Sequence, residues 1–129
     1  MKKILLLMMV TAALAACKKG QQVSPGLFGK WELRRTYGGF AYSDSTYKAG
    51  NGNVYQFNRD STYQRFINNK PNAQGIFHIV KLIYGGSTSS GIVFDDTENP
   101  ESFNYEGTKI TIGTSNGDGI ASEYQKVSN

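Results

Sequence analysis

The chain predicts an all-β fold, a small barrel or sandwich of about eight or nine short antiparallel strands. Two observations carry that expectation. Short runs rich in Tyr, Phe, Ile, Val and Thr alternate with clusters of Gly, Asn, Asp and Ser, the pattern of strands and their turns. No apolar repeat at helical spacing persists for three turns after the N-terminal segment, so nothing there calls for a packed helix.

That N-terminal segment is read first. Lys2 and Lys3 precede an apolar run over residues 4–10 that continues through Thr11, Ala12 and Ala13 and ends at Leu14-Ala15-Ala16-Cys17. A basic start, an apolar middle and small residues before the cut make an export signal. A membrane-spanning helix needs roughly 18 or more apolar residues; residues 4–16 are fewer and include a threonine. The segment resembles a bacterial lipoprotein signal peptide. The resemblance implies that residues 1–16 are removed and that Cys17 carries a thioether-linked diacylglycerol and an acylated amino terminus. Each buried CH₂ contributes about 0.8 kcal/mol, so two or three chains anchor a protein stably where one does not. The expected partner of Cys17 is therefore the lipid bilayer. Lys18 stands where an inner-membrane retention signal has aspartate, and residues 18–22 carry no acidic export tract. The expected location is the outer membrane, facing the periplasm.

Residues 18–24 are polar and lead into Pro25-Gly26, which reads as a linker. Residues 17–26 are expected to be the lipidated tether, standing the domain roughly 25 Å off the bilayer when extended, and residues 27–129 the folded body. One compact domain fits that length. Cys17 is the only cysteine, so the fold must stand without disulfides. Lys2 and Lys3 leave with the signal, which leaves 12 basic and 10 acidic side chains, a balance of +2. No basic stripe reads as a nucleic-acid surface.

The strands follow in order. Trp31, Leu33, Arg35 and Tyr37 alternate with Lys30, Glu32, Arg34 and Thr36, suiting a strand with one apolar face. Gly38-Gly39 ends it, and residues 40–42 with Thr46-Tyr47 are expected to form a short second strand around Ser43-Asp44-Ser45. Residues 54–57 and 62–67 form the clearest hairpin, because Asn58 and Asp60 between them suit a tight connection. Lys70-Pro71-Asn72 is expected to close its second arm. Residues 75–84, apolar on both faces, predict a long central strand, and residues 85–91 a flexible turn. Residues 92–94 read as a short strand and 95–100 as an acidic loop. Residues 103–105 should pair with 109–112, and a last strand runs over 120–127.

Gly29-Lys30-Trp31, the Tyr55-x-Phe57 hairpin turning at Asp60, and Asp118-Gly119 ahead of Tyr124-x-Lys126 together resemble the small lipocalin-like domains of Bacteroidetes-type lipoproteins. The resemblance implies a lipocalin-like barrel with Trp31 at its base beneath a cation from the last strand, here Lys126. It also implies an interior binding site, for which Trp31, Tyr55, Phe57, His78 and Tyr124 are the candidate contacts. Two departures, the missing disulfide and the short chain, weigh against a deep cavity.

Catalytic chemistry finds no support. His78 is the only histidine and no Gly-x-Ser-x-Gly turn is present, so nucleophilic triads depend on one residue that falls in phase with Ile76 and Val80 on a strand. Asp95, Asp96, Glu98 and Glu101 read as a solvated acidic loop. Residues 114–125 mimic a calcium loop but place Thr114 and Gln125 where ligands are needed. No metal or cofactor and no enzyme activity is expected. Sixteen aromatics follow Leu27, and Tyr37, Tyr42, Tyr47, Tyr63 and Tyr105 are candidates for a contact surface. Two functions stand. One is a non-enzymatic binding module for a small apolar ligand or a glycan. The other is an envelope interaction protein, or an inhibitor that plugs a lysozyme-like or protease cleft with a loop such as residues 85–91.

Overall fold

The structure is a computed structural model that describes residues 23–128; the signal segment, Cys17 and the first part of the tether lie outside the described residues. A 3-10 turn, Pro25–Leu27, leads into nine strands. They are β1 (Gly29–Gly38), β2 (Ser43–Thr46), β3 (Val54–Phe57), β4 (Thr62–Ile67), β5 (Lys70–Tyr84), β6 (Ser87–Phe94), β7 (Glu101–Tyr105), β8 (Lys109–Gly113) and β9 (Ile120–Ser128). β1 and β3 to β9 pair antiparallel in sequence order, and β9 returns to β1 to close an eight-stranded barrel. This is the lipocalin-like barrel architecture the sequence predicts. The extra strand, β2, pairs with the far half of the β1 edge that β3 occupies nearer the start.

Closure follows from the side-chain pattern. Eight strands leave an interior just wide enough for side chains to fill, and alternation sends Tyr55 and Phe57 of β3, Phe77 and Ile79 of β5, and Ile110 and Ile112 of β8 into it. Trp31, Phe57, Phe77, Leu27, Ile92 and Ile110 are wholly buried. Aromatic contacts knit the filling: Phe57 meets Phe77 edge-on at 4.9 Å, and Tyr63 meets Phe94 at 4.7 Å, distances at which such pairs attract beyond their buried area.

The turn at Pro25–Leu27 plugs one end. Trp31 Nε1 donates to the Leu27 carbonyl at 2.7 Å. The Lys126 ammonium sits 5.5 Å from the Trp31 ring centroid and donates to the Gly26 carbonyl at 2.6 Å. Tyr105 closes edge-on to Trp31 at 6.2 Å. Val23 packs against the core as well, so ordered packing begins ahead of Leu27, inside the stretch expected to be tether.

Several local expectations are corrected. The short second strand forms as β2 around Ser43-Asp44-Ser45, but residues 40–42, expected to belong to it, lie in the turn over 39–42, with Phe40 exposed. The β4 to β5 turn is Asn68-Asn69, both at positive φ (52° and 63°), the two-residue connection that suits twisted strands. Lys70-Pro71-Asn72 instead opens β5, where a register shift opposite Arg65 and Phe66 admits the proline, since a bulge removes the ladder bond that proline lacks. Residues 85–91 are not one flexible loop: Gly85-Gly86 turn, and Ser87 already pairs with Tyr84. β5 is not central on both faces, because a closed barrel has one inside; Phe77 and Ile79 point in while Ile76 is over a third exposed. In β1 a bulge at Arg34 shifts the pairing to β9. The alternation breaks there, and Arg35 and Tyr37 leave the face of Trp31, with Arg35 joining Asp44 and Glu123 outside.

Candidate functional site at the barrel mouth

At the end opposite the plug the side chains leave a hollow over the packed interior. There Leu33 of β1, Tyr55 of β3, Arg65 and Ile67 of β4 and Tyr124 of β9 line a hollow of about 190 Å³, with Tyr47 and Asn53 on its rim. Drug-sized ligands occupy roughly 300 to 1,000 Å³, so this hollow admits a small molecule or one end of a larger one. The gap at the floor, by Val23, Leu27, Ile79 and Phe103, is about 90 Å³.

The strand residues of the lining owe their direction to alternation. Tyr55 points inward and pairs directly across with Arg65, so the guanidinium shares its face; Arg65 Cζ lies 5.3 Å from the Tyr55 ring centroid. Tyr124 meets Tyr55 edge-on at 5.3 Å and forms the hollow's base. The rim is held by a buried acid. Glu32, outward on β1, accepts from the Gly50 amide at 2.8 Å and the Gly52 amide at 3.4 Å and pairs with Arg34. Asn51 Nδ2 donates to the Leu33 and Lys48 carbonyls at 2.8 and 2.6 Å. Residues 47–53 are thereby pinned against β1.

The electrostatics of the mouth are those of buried phenols beside the Arg65 cation. Burial pushes the Tyr55 and Tyr124 hydroxyls above the ordinary tyrosine range; the Arg65 charge opposes this in both, and the Glu101 charge adds to it. Tyr63 is pushed up to about 12, by burial first and then by its 2.7 Å hydrogen bond to the Asp95 carboxylate.

Comparison of the chain with protein-family models, with curated proteins and with solved structures found no match.

Of the residues the sequence singles out, Tyr55 and Tyr124 line the mouth, and Phe57 stacks beneath Tyr55 at 5.6 Å. Trp31 lies at the plugged floor. His78 points outward, half exposed, with Nε2 3.0 Å from Asp96 Oδ1; it is neither packed nor part of the mouth. Of the tyrosines proposed as a contact surface, Tyr63 is buried and Tyr105 packs on Trp31, Tyr47 lies on the rim, and Tyr42 is exposed. Arg65, Glu32 and Ile67 were not singled out from sequence. The stripe Tyr63-x-Arg65-x-Ile67 on β4 was the available signal for the mouth. Among the described residues no cluster of His, Cys, Asp and Glu is arranged to hold a metal, and no helix is long and apolar enough to cross a membrane.

Proposed function

We propose that the chain is a membrane-anchored lipoprotein whose barrel is a non-enzymatic binding module, taking a small apolar ligand or a glycan at the mouth. The observation that supports this is the pairing of a filled core with an aromatic hollow over Tyr55 and Tyr124. Aromatic and aliphatic walls with a few polar groups suit both ligand types. Titration with fatty acids, isoprenoids and oligosaccharides, followed by calorimetry and by the methyl resonances of Leu33 and Ile67, tests it. Heat together with shifts at those methyls is expected; no heat and no shift with any of them overturns the proposal. Anchoring has its own test. Cys17→Ala should abolish palmitate labelling and release the protein from membranes, and persistent labelling would refute lipidation.

A second function, an interaction or inhibitor protein, is favoured by the β5–β6 hairpin. β4 pairs with β5 only as far as Ile76, and β7 pairs with β6 only from Ser90 onward. Among the described residues the ribbon beyond Lys81 and Ser90 therefore has no flanking strand, and Ile83 and Tyr84 near its tip are about two-thirds exposed. Ile83→Ser with Tyr84→Ser should remove inhibition of a lysozyme-like or protease target and leave mouth binding intact. Lack of inhibition by the wild-type barrel across such enzymes would dismiss the inhibitor role.

A further inference from the structure

We infer, building on the proposed mouth site, that its ligand carries a carboxylate and that Arg65 receives it. The two arginines of β1 have acidic partners: Arg34 pairs with Glu32, and Arg35 with Asp44 at 2.7 Å. Arg65 has no ion pair among the described residues. It is nevertheless half-buried, inside the barrel wall, and it lines the hollow. Partial burial of an unpaired guanidinium costs hydration, and its contact with the Tyr55 face at 5.3 Å returns only part of that cost. A carboxylate entering from the mouth supplies the missing partner, since the planar fork of arginine matches two carboxylate oxygens at once.

The walls say what the rest of that ligand is like. Leu33 and Ile67 present apolar surface and Tyr55 and Tyr124 present ring faces and edges, so the group carrying the carboxylate is a short alkyl chain or a sugar ring. A hollow of about 190 Å³ holds that end and leaves the remainder of a larger ligand outside. Glu101 is near enough to raise the Tyr55 and Tyr124 hydroxyls, and its charge disfavours any anion there. It sets a ceiling on affinity that a variant can lift.

The experiment titrates two matched pairs, octanoate against octanamide and methyl glucuronide against methyl glucoside, reading the Leu33 and Ile67 methyl resonances. One acid should bind at least about tenfold more tightly than its neutral partner, the worth of a charge-assisted fork over a neutral contact. Which pair responds identifies a lipid acid or a sugar acid. Arg65→Gln should erase the preference, Arg65→Lys should keep part of it, and Glu101→Gln should strengthen acid binding without touching the guanidinium. Equal binding within both pairs, or an undiminished preference in a folded Arg65→Gln, overturns the carboxylate assignment and leaves the mouth site standing. Failure of all four probes to shift the mouth methyls removes the mouth site itself.

Discussion

Replacing Glu32 with alanine tests whether one buried acid holds the rim of the mouth. Glu32, 7% exposed as a residue, accepts through its carboxylate from the Gly50 amide at 2.8 Å and more weakly from the Gly52 amide at 3.4 Å. A hydrogen bond to a charged group contributes about 1.5–3 kcal/mol net, and a stranded buried donor costs about 1–3 kcal/mol. The pairing with Arg34, whose side chain is 28% exposed, adds little, since exposed pairs contribute roughly 0–1 kcal/mol. Because the Gly50 bond dominates, Glu32→Ala should destabilise by about 2–4 kcal/mol, lowering Tm by on the order of 10–20 °C. Urea unfolding followed by Trp31 emission measures it, and a loss below about 1 kcal/mol would refute the clamp. A pH series separates charge from shape. Burial resists ionisation of Glu32, but donation from Gly50, Arg34 and Gly52 outweighs it and holds the carboxyl below its ordinary value of 4.5. A depressed folded value gives stability that is present above the unfolded value and is lost as pH falls through the folded one. The advantage of wild type over Glu32→Gln should therefore be full near neutrality and shrink below pH 4.5. An advantage that does not change with pH would contradict a charged clamp.

Trp31→Ala should cost about 3–5 kcal/mol, as truncation of a buried aromatic does, and should leave mouth affinity unchanged because Trp31 lies at the floor; calorimetry of stability and of binding checks both. At Gly75 any Cβ would collide with the Asp95 carboxylate, so Gly75→Ala should lower Tm by breaking the Asp95 bonds to the Tyr63 hydroxyl and Ile76 amide. Adding Asp95→Ala should make the two losses less than additive, and simple additivity would argue against the collision. The raised Tyr55, Tyr63 and Tyr124 values mean stability that is complete below the unfolded value of 10.0 and is lost as pH rises through the folded values. Ultraviolet titration should show these three ionising late, together with unfolding. Their early ionisation in a folded protein would contradict the burial.

The local pattern of residues determined the strands that depend on neighbours in sequence. The hairpin of β3 and β4 falls where Val54 to Phe57, Asn58, Asp60 and Thr62 to Ile67 place it, because apolar alternation and turn-forming side chains act over a few residues. The pairing of residues 103–105 with 109–112 and the last strand follow for the same reason, and so does the packing of Tyr55, Phe57 and Tyr124 inside. What depends on partners distant in sequence was decided by the tertiary structure alone. Arg34 becomes a bulge only because β9 closes on β1, and that turns Arg35 and Tyr37 outward. His78 sits in an apolar run, yet closure gives β5 a single inside, which Phe77 and Ile79 occupy. Pro71 enters a strand because a register shift spares its missing donor. Glu32 and Arg65 both read as ordinary polar positions in an alternating strand; one became a buried clamp because a loop folded over it, the other the mouth cation because its strand pairs directly with Tyr55. Alternation states which residues share a face, and only closure of the sheet states which face is inside.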